Sequence, residues 1–233
     1  DLAIILRHVE QAQSVLRDLL DFARPHAACP GPCDVSAMLL SLREVFRPKL
    51  RLINAKMCLD VESGLPELYL DSGMLEQVLV NLLLNAIDAV GEAGDIPGVI
   101  NVTAFRDGDS GHLAVLVADN GAGIDAAHLP KLFDPFFTTK EPGTGTGLGL
   151  AVAFALVRDM GGRLEVRNHD SGQGRGAAFL VLLPVDGEER AMMTAVLGGV
   201  FQDVSSDMVL GHHVLSLVLI GYAAGRTATR LVT

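Results

Sequence analysis

Apolar residues recur at steps of three and four in several long segments of the chain, which is the pattern of amphipathic helices. The predicted helices cover residues 2–23, 35–46, 72–90 and about 148–160, with a shorter one near 125–132. Asp34 and Asp71 directly precede two of these segments, and a side-chain oxygen at that position satisfies free backbone amides of the first turn. Pro25 and Pro48 follow two of them, and we expect each proline to end its helix.

Shorter apolar runs between the helices have the length and composition of β-strands. The predicted strands are residues 56–61, 67–70, 99–105, 113–118, 163–167 and 177–183, whereas residues 25–33 are expected to form a linker. Because helices and mostly antiparallel strands alternate loosely along the chain, the pattern favours an α+β fold. We expect a two-layer sandwich in which helices cover a mixed, mostly antiparallel sheet.

The charge balance narrows the classes of protein to which the chain can belong. Its 18 Lys and Arg residues against 28 Asp and Glu residues give a formal net charge of -10. A protein that binds a nucleic-acid backbone normally needs a basic face, so the balance argues against nucleic acid as a partner. The apolar content of 49% equally excludes a wholly disordered chain.

Residues 188–233 are almost uncharged and differ in composition from the rest of the chain. The charged residues that follow Arg190 are Asp203, Asp207, Arg226 and Arg230. The uncharged stretch 208–225 is near the lower length limit of a membrane-spanning helix, and a buried amphipathic helix is the alternative. GGVFQDV at residues 198–204, LGHH at residues 210–213 and the apolar run that follows resemble the rod-shape-determining membrane protein family. The tail is thus a candidate membrane segment or a non-native fusion to the preceding domain.

Three polar residues stand on one face of the predicted helix 72–90. Asn81, Asn85 and Asp88 are spaced four and three residues apart, so their side chains stack along one side of the helix. A solvated helix face explains this spacing equally well. Two carboxamides one turn apart also offer neutral oxygens to a hard cation such as Mg²⁺.

The segment from Asp119 to Ile124, DNGAGI, follows a predicted strand directly. A tight turn is one interpretation, and the glycine spacing also fits the dinucleotide-binding pattern G-x-G-x-x-A. The dinucleotide interpretation fails, because Pro130 ends the following helix early and no parallel strand follows to complete a βαβ unit. A carboxylate at the strand end can instead accept a hydrogen bond from the amino group of adenine, whereas it would repel the oxygen of guanine.

A third segment combines aromatic residues with closely spaced glycines. FDPFFTTK at residues 133–140 is followed by glycine at every second position from Gly143 to Gly149. A glycine-rich loop that leads into a helix N-terminus presents backbone amides and a positive dipole to phosphate groups. The pair Gly-Lys occurs nowhere in the chain, so this loop is not a P-loop. The flanking aromatic residues and apolar helix disfavour a plain flexible linker.

In this order, the asparagine pair, DNGAGI, FDPFFTTK and GTGTGLGL resemble the ATP-binding domain of sensor histidine kinases. That domain is shared with gyrase, the Hsp90 chaperones and the mismatch-repair ATPases, and FFTTKEPGTGTGLGL is especially similar to nitrogen-regulatory and dicarboxylate-sensing kinases. The resemblance assigns residues 34–187 to this domain and implies a protein histidine kinase that uses ATP and Mg²⁺. It also implies a cytoplasmic catalytic domain within a protein that can be associated with the inner membrane.

The same resemblance implies a role for individual residues of these motifs. Asn85 would hold Mg²⁺, Asp119 would read adenine, and Phe133 and Phe137 would anchor a lid. The implied catalytic residues are Asn81 and Lys140. The implied nucleotide-binding residues are Asn85, Asp88, Asp119, Gly121, Gly123, Ile124, Phe133, Phe137, Thr138, Thr139, Gly145, Thr146, Gly147, Leu148, Gly149 and Leu150.

Asn81 occupies the place where hydrolysing relatives carry a glutamate that activates water. A carboxamide cannot take a proton from water, so the resemblance favours transfer of the γ-phosphoryl group to an external nucleophile such as histidine. Two alternatives stay open. One is a hydrolysing ATPase of the same superfamily, and the other is a nucleotide-gated interaction module or pseudokinase.

Residues 1–25 resemble a second element of the same kinases. LRDLLDFA at residues 16–23 is similar to the second helix of the dimerisation and phosphotransfer hairpin. The family's acceptor is a histidine followed by an acidic residue, with proline five positions on, and His169 alone has an acidic neighbour but Gly174 at the fifth position. We therefore expect the acceptor helix to lie upstream. The implied partners are ATP, this histidine-bearing hairpin and a response regulator, in a homodimeric full-length protein.

Overall fold

Three helices and seven strands form within the residues that the computed structural model describes, 29–92, 97–108, 111–140, 145–170 and 175–185. The helices are α1 (Val35–Leu52), α2 (Ser72–Glu92) and α3 (Gly149–Asp159). The strands are β1 (Gly31–Cys33), β2 (Ala55–Val61), β3 (Leu68–Leu70), β4 (Gly98–Arg106), β5 (Leu113–Asp119), β6 (Arg163–Asp170) and β7 (Arg175–Leu183). The chain divides into two units, Asp1–Pro184 and Val185–Thr233, and all of these elements belong to the first. The predicted helix 2–23 and the tail 188–233 lie outside the described residues.

A five-stranded sheet with the order β2-β4-β5-β7-β6 forms one layer of the fold. β2 and β4 are parallel, and the other three neighbouring pairs are antiparallel. β1 and β3 form a separate two-stranded antiparallel ribbon. The prediction of an α+β sandwich with a mixed, mostly antiparallel sheet is confirmed.

The core lies between the sheet and the helices. On β4, Ile100, Val102 and Ala104 are fully buried, while the residues between them are at least partly exposed, as expected when helices cover one face of a sheet. α2 contacts β4, β5 and α3, and nine of its residues are buried. Burying a leucine side chain stabilises the fold by about 1.5–3 kcal/mol. Among the described helices, α2 alone is long and apolar enough to span a bilayer, and its packing in this core accounts for that apolarity.

Aspartate side chains begin α1 and α2, as the sequence predicts. Asp34 accepts a hydrogen bond from the backbone amide of Ala37 at 3.0 Å. Asp71 Oδ1 accepts from the amides of Gly73 and Met74 at 2.9 and 3.2 Å. Each carboxylate satisfies amides that have no partner within the helix.

α1 continues through Pro48 to Leu52, so the prediction that this proline ends the helix was wrong. Pro48 is exposed, and the backbone hydrogen bond that it cannot donate is therefore lost on the solvent side of the helix. Leu50 extends the buried stripe of α1 by one turn beyond Phe46 and is only 4% exposed. Packing of this stripe overrides the local signal of the proline.

Two further predictions need correction. Part of the predicted linker 25–33 is strand β1, whose residues pair with β3, because the ribbon satisfies backbone groups that a loop would leave to water. The predicted short helix 125–132 contains only a 3₁₀ turn, Leu129–Lys131, with proline in its first turn. The other predicted helices and strands among the described residues are confirmed to within three residues at each end.

Candidate functional site

A cavity of about 600 Å³ opens between α2, the end of β5 and residues 133–140 and 145–148, which together we call the lid segment. This volume lies within the range of about 300–1,000 Å³ that small-molecule sites occupy. The sequence-predicted residues that line it are Asn81, Asn85, Asp88, Asp119, Gly123, Ile124, Phe137, Thr138, Thr139, Lys140, Gly145, Thr146, Gly147, Leu148, Gly149 and Leu150. Gly121 and Phe133 are not among the lining residues.

Asp119 ends β5 inside the fold and is only 2% exposed. Its Oδ1 accepts hydrogen bonds from the backbone amides of Gly121 at 2.8 Å and Ala177 at 3.3 Å. Burial raises the pKa of the Asp119 carboxyl, and these two hydrogen bonds oppose that rise because they favour the ionised form. With Oδ1 occupied, Oδ2 is the oxygen that can accept a hydrogen bond from a ligand in the cavity.

Asp119 begins a loop, residues 119–124, which we call the β5 loop. Asn120 Oδ1 accepts from the amide of Val99 at 2.7 Å, and Asn120 Nδ2 donates to the carbonyl of Pro97 at 3.1 Å. This side chain fixes the start of the loop to the start of β4. A Cβ on Gly121 would lie 2.7 Å from the carbonyl oxygen of Ala89 on α2, so only glycine fits there. Gly121 therefore shapes the site through packing against α2.

The polar face of α2 forms one wall of the cavity. Asn81 and Asn85 are half-buried and one turn apart, as their spacing predicts. The described residues contain no cluster of three His, Cys, Asp or Glu side chains that could hold a metal ion by themselves. The donor set fits Mg²⁺ that takes a carboxamide oxygen from the protein and its remaining ligands from phosphate and water.

Lys140 reaches back from the lid segment to α2. Its Nζ lies 2.5 Å from Asp88 Oδ2, and Lys49 Nζ of α1 lies 3.9 Å from Asp88 Oδ1. The Lys140 side chain is only 26% exposed, and it lines the cavity. Asp88 therefore holds the Lys140 ammonium beside Asn81 and Asn85 on the cavity wall.

Two aromatic contacts fix the first part of the lid segment. The ring of Phe133 stacks on Phe154 of α3 at a centroid distance of 4.8 Å. The ring of Phe137 meets His128 at 5.6 Å, and both residues line the cavity. Phe133 thus ties the segment to α3 from outside the cavity, whereas Phe137 contributes to its wall.

Gly147 closes the described part of the lid segment onto its beginning. The amide of Phe136 donates to the carbonyl of Gly147 at 2.9 Å. Gly147 has φ +66°, and a Cβ there would lie 2.5 Å from the carbonyl carbon of Phe136. This position therefore needs glycine both for its backbone conformation and for its close approach to the chain.

α3 directs its N-terminus into the cavity. Gly149 is its first residue, and Leu148, which precedes it, supplies no side-chain cap. The first amides of the helix are therefore available to a ligand, and the helix dipole favours an anion there. A Cβ on Gly149 would lie 3.6 Å from Asn81 Oδ1, so Asn81 lies directly beside this helix N-terminus.

Several lining residues were not predicted from the sequence. They are Gln77, Leu84, Ala89, Glu92, Ala122, Asp125, His128, Leu132, Val152 and Ala177. Continuing the four-residue step of Asn81 and Asn85 in both directions would have found Gln77 and Ala89. Ala177 contributes a backbone amide, which leaves no signal in the sequence.

Comparison with protein families matches residues 70–187, just over half of the chain, to the family described as histidine kinase-, DNA gyrase B-, and HSP90-like ATPase. Sporulation kinase E of Bacillus subtilis is 30% identical over 189 residues, which are 80% of this chain and 24% of that protein. Sensor kinase CckA of Brucella abortus is 36% identical over 195 residues, 79% of this chain and 20% of that protein. The chain thus spans about a quarter or less of the length of these relatives.

A solved structure of full-length ShkA in complex with AMPPNP superposes with a TM-score of 0.66 at 28% sequence identity. The superposition covers 78% of this chain and 37% of that one. The similarity extends from the sequence to the arrangement of the helices and the sheet.

Proposed function

The chain belongs to the family of histidine kinase-, DNA gyrase B-, and HSP90-like ATPases, and we propose that it is the cytoplasmic, ATP-binding catalytic region of a sensor histidine kinase. In this proposal, it transfers the γ-phosphoryl group of ATP to a histidine on a dimerisation hairpin, for relay to an aspartate of a response regulator. The kinase names of the two relatives and the AMPPNP bound to ShkA support this assignment.

The adenine end of the site would be Asp119 and the β5 loop. Asp119 Oδ2 accepts a hydrogen bond from the adenine amino group, while Oδ1 keeps its two backbone donors. Guanine presents an oxygen where adenine has this amino group, and two acceptors repel each other. The buried carboxylate thereby selects ATP over GTP.

The phosphate end would be the N-terminus of α3 together with Lys140. Backbone amides at Gly149 and Leu150 donate to phosphate oxygens, and the Lys140 ammonium offsets their charge. Asn85 would hold Mg²⁺, which supplies charge neutralisation across the phosphates. The chain has a net charge of -10, but these groups can still attract a polyanion because salt screens the more distant negative charges.

The position of Asn81 beside Gly149, the first residue of α3, is the observation that supports the transfer reaction. A water molecule at this position would need a base to remove its proton, and a carboxamide is not one. A histidine imidazole needs no such base, because its neutral form is already nucleophilic near neutral pH. The chain's own residues therefore orient the phosphoryl group and leave the nucleophile to the hairpin.

The affinity for ATP is expected to fall as the pH decreases toward the raised pKa of Asp119, above the ordinary carboxyl value of 3.8. Because burial raises this pKa, the free protein gains stability from the neutral carboxyl at low pH and loses it as the pH rises through the raised pKa. ATP binding needs the ionised form and has the opposite preference, so binding below that pKa releases a proton.

Calorimetry of ATP binding in buffers with different ionisation heats measures this proton release. The Asp119→Asn variant is the control, because it lacks the titrating carboxyl but still shows any proton release that comes from the nucleotide itself. Equal proton release by the two proteins would contradict the expected linkage.

Phosphotransfer is tested by mixing the chain with a separately prepared acceptor hairpin from a related kinase and γ-labelled ATP. We expect acid-labile label on the hairpin histidine, and no label when that histidine is replaced by alanine. Steady phosphate release without labelled hairpin would indicate a hydrolysing ATPase. Binding of ATP with neither outcome would favour a nucleotide-gated interaction module.

A further inference from the structure

A carboxamide at the end of β6 holds the far end of the β5 loop. Asn168 Oδ1 accepts a hydrogen bond from the amide of Ile124 at 2.8 Å, and Asn168 Nδ2 donates to the carbonyl of the same residue at 2.6 Å. The two residues are 44 positions apart in the chain. One side chain thus satisfies both backbone polar groups of one loop residue, as a neighbouring strand would.

The next residue of β6 holds the near end of the same loop. His169 Nε2 lies 2.8 Å from the carbonyl oxygen of Asp119. A carbonyl oxygen only accepts, so this nitrogen carries the proton and donates it. Two consecutive residues of β6 therefore bond to the first and last residues of the β5 loop.

Ala122 and Gly123, in the second half of the loop, have little conformational support of their own. Gly123 has φ +74°, and Ala122 is exposed although it lines the cavity. Gly123 and Ile124 also line the cavity, so the bonds from Asn168 hold the part of the loop that faces the cavity. Glycine-rich backbone loses more entropy on ordering than other backbone, and an external clamp supplies that order before the ligand arrives.

We propose that Asn168 is a positioning residue for recognition of the adenosine part of the nucleotide. It touches no nucleotide atom itself and acts by holding Ile124, and with it the cavity wall between Asp119 and the 3₁₀ turn. This inference rests on the proposed ATP site. It assigns Asn168 to the adenosine end and gives it no part at the phosphate end, where the lid segment and α3 lie.

The test is the affinity of Asn168→Ala for ATP, for adenosine and for Mg²⁺-tripolyphosphate, measured by calorimetry. Loss of two hydrogen bonds is expected to weaken ATP and adenosine by the same factor, about tenfold. The affinity for tripolyphosphate is expected to stay unchanged. Asn101→Ala is the matched control, because Asn101 is an exposed asparagine on β4 of the same sheet and its removal should alter none of the three affinities.

Asn168→Asp supplies a second variant of nearly the same shape. Its carboxylate can accept from the Ile124 amide but opposes the Ile124 carbonyl, so we expect a loss at least equal to that of alanine. Unchanged ATP affinity in both variants, or equal loss for ATP and tripolyphosphate, overturns the role of Asn168. A wild-type chain that binds no ATP overturns the proposed function itself, which separates the two failures.

Discussion

Asp119→Asn is expected to weaken ATP binding by about a hundredfold, since a hydrogen bond to an ionised group contributes about 1.5–3 kcal/mol and an unpaired buried donor adds to the loss. The asparagine oxygen keeps the amides of Gly121 and Ala177, so its Nδ2 takes the place of Oδ2. The Nδ2 group is a donor, and it would face the adenine amino group, which is also a donor. Calorimetric titration with ATP measures the change.

The same substitution should reverse the preference between nucleotides. The bases of ITP and GTP carry an oxygen where adenine carries its amino group, and the new Nδ2 donor of Asp119→Asn matches that oxygen. We therefore expect ITP to bind the variant more tightly than ATP, and the wild type to show the opposite order. An ATP affinity and a nucleotide preference equal to those of the wild type would argue against Asp119 as the adenine reader.

Gly147→Ala is expected to have the second largest effect. A left-handed backbone costs an alanine about 1–2 kcal/mol, and the added Cβ would lie 2.5 Å from a backbone carbon of Phe136. Backbone atoms cannot rotate away as a side chain can, so the backbone around Phe136 and Gly147 must shift. We expect at least about a tenfold loss of ATP affinity and a comparable loss in the rate of phosphotransfer.

Gly64→Ala is the matched control for this prediction. Gly64 has φ +79°, in the turn between β2 and β3, but a Cβ there meets no atom within 4 Å. Urea unfolding should show a cost of about 1–2 kcal/mol from the backbone conformation alone, with unchanged affinity for ATP. If both variants bind ATP as the wild type does, the close approach of Gly147 to Phe136 has no role in nucleotide binding.

The parts of the site that the sequence predicted lie within single elements. Asn81 and Asn85 share one helix, and their spacing alone places both side chains on one face. Asp119 follows an apolar strand, and the glycines of the lid segment precede an apolar helix. In each case, the local sequence pattern predicts both the helix or strand and the place on it where the functional residues lie.

The parts that the sequence did not predict depend on contacts between distant segments. Asn168 meets Ile124 only because β6 and the β5 loop come together in the folded sheet. Pro48 stays inside α1 because Leu50 packs in the core, which no local rule for proline includes. His128 contacts Phe137 through a turn that the sequence presented as a helix. Tertiary packing decides each of these positions.

The strand order of the sheet also constrains when the domain can fold during its synthesis. β7 is the last of the described strands to be made, yet it lies between β5 and β6 in the sheet. A nascent chain that ends before Arg175 therefore has β5 and β6 without their common neighbour, and Asp119 without the amide of Ala177. Ribosomes add about 5–20 residues per second, and domains generally fold as units. The nucleotide site and the core should consequently form together, and only after Leu183 has emerged.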